Sequence, residues 1–141
     1  MPFTRITLRQ GYSDAQLARL SDIVHRCLTE EFTVPPDDHF QVIETLPANQ
    51  RVFARHYLSG ARSNDFMLFQ IVAGRPRTRM QKQNFYRVLS ERLQQELAIN
   101  PDDVMVIIQN NQSDDWSFSN GEIYDPQAQR RTCPGAADQE E

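Results

Sequence analysis

Few residues in this chain have side chains and spacing suited to chemistry. Pro2 follows Met1 and leads into Phe3-Thr4-Arg5-Ile6-Thr7-Leu8, a strand-like segment. Removal of Met1 leaves Pro2 with a secondary ring amine, a group able to act as base, acid or nucleophile. Arg75 and Arg77 flank Pro76, which keeps the segment out of helix and lets both guanidiniums be presented together. Two such forks beside an amine suit an anionic substrate, because arginine pairs with carboxylate in a bidentate manner; without Pro2 they read as exposed loop arginines. Asp37 and Asp38 follow a predicted helix C-terminus, where the dipole does not favour negative charge. Turn formation accounts for one acid, and Asp38 is placed to orient a water or hold an ammonium. Asp114-Asp115-Trp116-Ser117-Phe118 carries the only tryptophan, as either an oligomer contact or a pocket wall.

These residues must be positioned by a repeated unit. Displacing the sequence by 65 positions aligns Leu28 to Asp38 with Leu93 to Asp103, and Ser13-Asp14-Ala15-Gln16 with Thr78-Arg79-Met80-Gln81. Both tetrapeptides read as capping boxes, in which the hydroxyl accepts from an N–H of the first turn and glutamine reaches back to the cap. Leu17, Leu20, Ile23, Val24, Cys27, Leu28 and Phe32 form a helical stripe, matched by Phe85, Val88, Leu89, Leu93 and Leu97. Both helices stop before a proline-acid turn. Strands are expected at 3–8, 40–43, 66–73 and 104–108, so each half reads β-α-β.

This predicts an α/β (α+β) fold in which two β-α-β units share a four-stranded sheet with both helices on one face. The runs 66–72 and 104–108 are nearly continuously apolar, so the bare face is expected to be covered by further copies of the chain. Antiparallel pairing of the two leading strands would bring Pro2 to the end of the strand that precedes Gly74-Arg75-Pro76-Arg77. The first unit has Gln10 and Tyr12 in place of the two arginines, so the basic pair is not a requirement of the repeat. Asp102 and Asp103 repeat Asp37 and Asp38, which favours a structural role for the acids. The segment 46–65 is read as a hairpin or packed loop.

Composition narrows the partners. With 141 residues, the chain is expected to be one domain over 1–126, with pseudo-repeats at about 2–45 and 66–110 and a polar tail over 127–141. A net charge of −4 without a basic block argues against nucleic acid, and no apolar run reaches the length of a membrane span. Without a signal-peptide pattern, and with only Cys27 and Cys133, a cytoplasmic setting is expected. His25 and His39 lack metal-ligand spacing, and no phosphate-binding glycine loop is present, so no cofactor is expected.

In their order and spacing, Pro2, Val34-Pro35-Pro36-Asp37-Asp38, Arg75-Pro76-Arg77 with Gln81-Lys82, Pro101-Asp102-Asp103-Val104 and Asp115-Trp116-Ser117-Phe118 resemble the tautomerase superfamily, and within it the malonate semialdehyde decarboxylases. The resemblance runs through about Phe118; beyond it, 119–124 follows the pattern only loosely. It implies a cofactor-independent lyase or isomerase, with Pro2 as the catalytic amine and Asp38 its acidic helper. Arg75 and Arg77 become carboxylate anchors, and Trp116 with Phe118 an apolar wall. It also implies a homotrimer acting on a small 3-oxo acid. Keto-enol tautomerisation, hydration or dehalogenation of small unsaturated acids uses the same residues. A catalytically idle oligomeric interaction protein is the alternative of another class.

Overall fold

The computed structural model describes residues 1–127. The predicted polar tail beyond Gln127, with Cys133, lies outside the described residues. Four strands and two long helices follow in the order β1 (Pro2–Arg9), α1 (Asp14–Glu31), β2 (Gln41–Leu46), β3 (Met67–Ala73), α2 (Arg79–Leu97) and β4 (Val104–Asn110). They form one mixed sheet in the order β2-β1-β3-β4. Each β-α-β unit contributes a parallel pair, and β1 joins β3 antiparallel at the centre.

Both capping boxes are present: Ser13 Oγ accepts from Gln16 N while Gln16 accepts from Ser13 N, and Thr78 and Gln81 do the same. The repeat persists at the helix ends, where Thr33 and Ala98, 65 positions apart, take left-handed φ of 55° and 54°. In each, the next N–H reaches back into the helix, Val34 N to Leu28 O and Ile99 N to Leu93 O. These wrapped termini satisfy carbonyls that the last turn leaves open, without glycine.

Strand alternation sends Ile6, Leu8, Met67, Phe69 and Ile71 to the helix side, where Leu20, Ile23, Val24, Phe85, Leu89 and Leu93 cover them. Cys27 lies in this core, and burial pushes its thiol up to about 11, so it is a packing residue and not a nucleophile. Glu96 takes Arg19 and Arg26, and Glu30 takes Arg92, tying α1 to α2 across their outer surface. The far face of the sheet carries no helix. Val42, Met105 and Ile107 are exposed there, interleaved with Arg5, Glu44 and Gln70. Of the two readings for 46–65, the packed loop is the one observed: Arg51 donates to Phe66 O and Asn64 O, and Arg62 to Ala54 O and Tyr57 O.

Leu89 is fully buried between the helix pair and the sheet. Leu89→Ala should therefore cost about 2–5 kcal/mol, read as a lowered denaturation midpoint with an unchanged slope.

Candidate active site

The antiparallel register pairs Pro2 with Ala73, so β1 begins where β3 ends. Met1 prolongs the ladder by one residue, its carbonyl accepting from Gly74 N at 3.0 Å. The chain turns at Gly74, and a methyl group added there would lie 2.7 Å from Met1 Cε and 3.0 Å from Trp116 Nε1. Gly74 is thus the point at which the N-terminus and the tryptophan close on the backbone, an approach that a side chain would obstruct.

Three residues on, Arg77 is buried, and its guanidinium donates to Phe32 O at 2.9 Å and Arg75 O at 2.7 Å. Arg75 is exposed and donates to Phe32 O at 3.0 Å and Thr33 O at 3.2 Å. Both cations therefore rest on the C-terminal carbonyls of α1, the negative end of its dipole. The left-handed turn at Thr33 presents those carbonyls to them. Arg77 also lies over the Phe32 ring, 5.1 Å from its centroid. Burial, reinforced by the neighbouring charge of Arg75 and opposed by Asp38, lowers its pKa to about 10. It remains a cation at neutral pH, with Nε buried and without a partner among the described residues.

Asp38 closes the other side. Its Oδ2 lies 3.0 Å from the Met1 ammonium, and Oδ1 is buried without a hydrogen-bond partner among the described residues. The repeat separates the two acids that its sequence equates. Asp103 accepts from Ser63 N and Ser63 Oγ, both at 2.6 Å, and pins the chain ahead of β3. Asp38 faces a chain terminus instead. The structural role expected for the acids is plain in the side-chain bonds of Asp103, while Asp38 keeps the turn, its N–H donating to Pro35 O, and turns its carboxylate to the terminus.

After β4, a short 3-10 turn at Ser113–Asp115 delivers Trp116. Its indole N–H donates to Asn111 Oδ1 at 2.7 Å, and its ring stacks on Phe118 at 5.6 Å. Phe118 also meets Phe40, ahead of β2, and the edge of Tyr124. Pro2, Asp38, Arg75, Arg77, Trp116 and Phe118 are accordingly grouped at one end of the sheet's central strand pair. Sequence reasoning missed Asn111, which fixes the indole, Phe40, and the carbonyls of Phe32 and Thr33. Asn111 was findable in principle, since its repeat counterpart is the apolar Leu46. His25 and His39 lie outside the group, stacked at 4.0 Å, with His25 Nε2 donating to Pro36 O at 2.8 Å. No helix among the described residues is long and apolar enough to cross a membrane.

The sheet of two β-α-β units, in the order β2-β1-β3-β4, has the fold of solved malonate semialdehyde decarboxylases. The chain belongs to the tautomerase enzyme family, whose model matches residues 38–119. It is 36% identical over 121 residues to the probable tautomerase YusQ of Bacillus subtilis (strain 168), a match covering 86% of this chain and 95% of that protein. Among solved structures it resembles a malonate semialdehyde decarboxylase at 32% identity and a TM-score of 0.79, covering 85% of this chain and 92% of that one. A second malonate semialdehyde decarboxylase, inhibited by 3-bromopropiolate, matches at 27% identity and a TM-score of 0.80, covering 95% and 98%.

The separation of the two acids is open to measurement. Asp103→Ala removes two charge-assisted bonds to a buried acceptor and should cost about 2–4 kcal/mol. Asp38→Asn keeps the side chain's shape and removes one mostly buried ion pair together with the desolvation of an unpartnered oxygen, opposing effects that should leave it less destabilised than Asp103→Ala. Parallel urea titrations of both variants test the contrast.

Proposed function

We propose that the mature protein lacks Met1 and uses the Pro2 amine to decarboxylate a small 3-oxo acid of the malonate semialdehyde type. The observation that carries this reading is the N-terminal ammonium 3.0 Å from Asp38, beside two arginines anchored on a helix C-terminus. That ammonium belongs to Met1. Once the chain starts one residue later, the terminal amine is that of Pro2, with Asp38 as its nearby carboxylate.

A 3-oxo acid loses CO2 when the electrons of the breaking C–C bond flow into its carbonyl. A protonated Pro2 donates a charge-assisted hydrogen bond to the oxygen on which the enolate develops, and then supplies the proton that quenches the new carbanion. Arg75 and Arg77 take the carboxylate and hold the breaking bond parallel to the carbonyl π orbitals. Because Arg77 already spends donors on Phe32 O and Arg75 O, its position is set before substrate arrives. Trp116 and Phe118 line the apolar side, where CO2 leaves.

Charge on Pro2 separates this reading from its nearest rival. A neighbouring carboxylate favours a charged amine and neighbouring guanidiniums a neutral one, so Asp38 on one side and Arg75 with Arg77 on the other pull in opposite directions. With Asp38 beside the chain terminus, the acid role is the one proposed. The rival, in which neutral Pro2 shuttles a proton on an enol, is supported by the probable-tautomerase name of the 36% identical relative. The exposed apolar residues of the bare sheet face, Val42, Met105 and Ile107, support assembly with other copies, and the superfamily resemblance supports a homotrimer as that assembly.

Intact mass should show a chain without Met1, and Pro2→Ala should lower kcat/KM for malonate semialdehyde by at least about a hundredfold. Arg75→Gln should raise KM by about ten- to a hundredfold with a smaller effect on kcat. Nitrogen-15 titration of Pro2 above pH 8 supports the decarboxylase; a value below 7 with turnover of phenylpyruvate enol supports the tautomerase. Retention of Met1, or full activity in Pro2→Ala, defeats both.

A further inference from the structure

The 65-residue repeat continues past the strands. The 3-10 turn at Ala48–Gln50 stands 65 positions before that at Ser113–Asp115. Arg51 therefore occupies the counterpart of Trp116, Phe53 that of Phe118, and Arg9 that of Gly74. The first half thus builds its own version of the corner just described, and this version contains a cavity of about 290 Å³. Arg9, Gln10, Arg51, Phe53, Arg55 and Asn64 are among its lining residues.

Charge here is unbalanced. Arg9 pairs with Asp65 at 2.6 Å, but neither Arg51 nor Arg55 has a carboxylate partner among the described residues. Arg51 bonds Phe66 O and Asn64 O, and Arg55 bonds Asn64 Oδ1 at 2.8 Å and Arg62 O at 3.3 Å. Phe53 stacks on Phe66 at 4.4 Å, and Arg55 lies over the Phe53 ring at 4.4 Å. Burial lowers the pKa of Arg51, and the charges of Arg55 and Arg9 act in the same direction against Tyr12 and Asp103. Two uncompensated guanidiniums are thus held close together, by carbonyls and aromatic faces, in a chain whose net charge is −4. Such a cluster is relieved by an anion, and preorganised donors bind one without the cost of ordering flexible side chains. A cavity of this volume is at the small end of ligand sites.

We infer that the cavity lined by Arg9, Arg51 and Arg55 is a second, non-catalytic binding site for a small oxyanion, a carboxylate or a phosphate. It does not catalyse by amine chemistry, because Met67 stands where Pro2 stands in the other half and its nitrogen is a mid-chain amide. The inference is independent of the reaction proposed for Pro2.

The test is a titration of the full-length protein with sodium malonate and, separately, inorganic phosphate, each against sodium chloride of equal ionic strength, following arginine Nε–H resonances by NMR. Saturable shifts at Arg51 and Arg55 are expected, unchanged in Arg75→Gln, which removes an anchor from the other corner. Arg55 is exposed, so Arg55→Gln should fold normally and weaken the affinity by about tenfold or more. Saturation by malonate alone assigns the site to carboxylates, by phosphate alone to phosphates, and by both to oxyanions generally. Shifts matched by chloride, loss of binding in Arg75→Gln, or undiminished affinity in Arg55→Gln would overturn the proposal.

Discussion

The contact on which the candidate site depends is the one between the C-terminus of α1 and the two arginines that follow β3. Helix ends leave carbonyls without intrahelical partners, and these carry the negative end of the macrodipole. Here Phe32 O and Thr33 O take up both guanidiniums, which stand more than forty residues away in sequence. One unit therefore supplies the anchor and the other the charge. A site of this kind exists only when the two β-α-β units share a sheet, because neither unit holds both ends of the bond. The cost of burying Arg77 is met locally: carbonyls solvate two of its nitrogens and the Phe32 ring covers its plane.

The framework was open to sequence reasoning because its signals are local and occur twice. Capping residues, helical stripes and proline-acid turns each act over a few residues, and duplication made each reading a check on the other. Even the neighbour of Pro2 followed, since antiparallel pairing of the leading strands leaves little choice of what lies beside the first residue. The site was less legible. Guanidiniums bound to main-chain carbonyls leave no trace in composition, because every residue has a carbonyl. The different uses of Asp38 and Asp103 depend on whether a terminus or a continuing chain stands opposite, which spacing does not reveal. The repeat itself was traced only to about 45 and 110. Beyond those points arginine faces tryptophan in the alignment, and only the recurring 3-10 turn exposes the equivalence.

The two faces of the sheet obey different constraints. On the helix side, alternation from β1 and β3 produces a continuous apolar layer with no polar atom in need of water except Thr4 Oγ1, which is buried and unpartnered among the described residues. On the other side apolar and charged residues alternate across strands, so that Arg5 meets Glu44 at 3.2 Å beside exposed Val42, while Met105 and Ile107 are exposed on the opposite edge strand. A surface of this mixed character is not a protein core. It matches the composition of interfaces, which combine apolar patches with paired charges and are no more hydrophobic overall than ordinary surface.

Duplication within one chain also changes what substitution can do. Were the two halves separate, identical subunits, any residue placed at one corner would appear at its twofold mate, so a proline amine on one side would demand another opposite. Joined covalently, the halves are free to diverge: Trp116 can be selected without imposing tryptophan on position 51, and Asp38 can change without disturbing the bonds of Asp103. The linker at 47–66 thus does more than connect two units, because it turns a symmetric scaffold into one whose two ends can evolve under separate requirements.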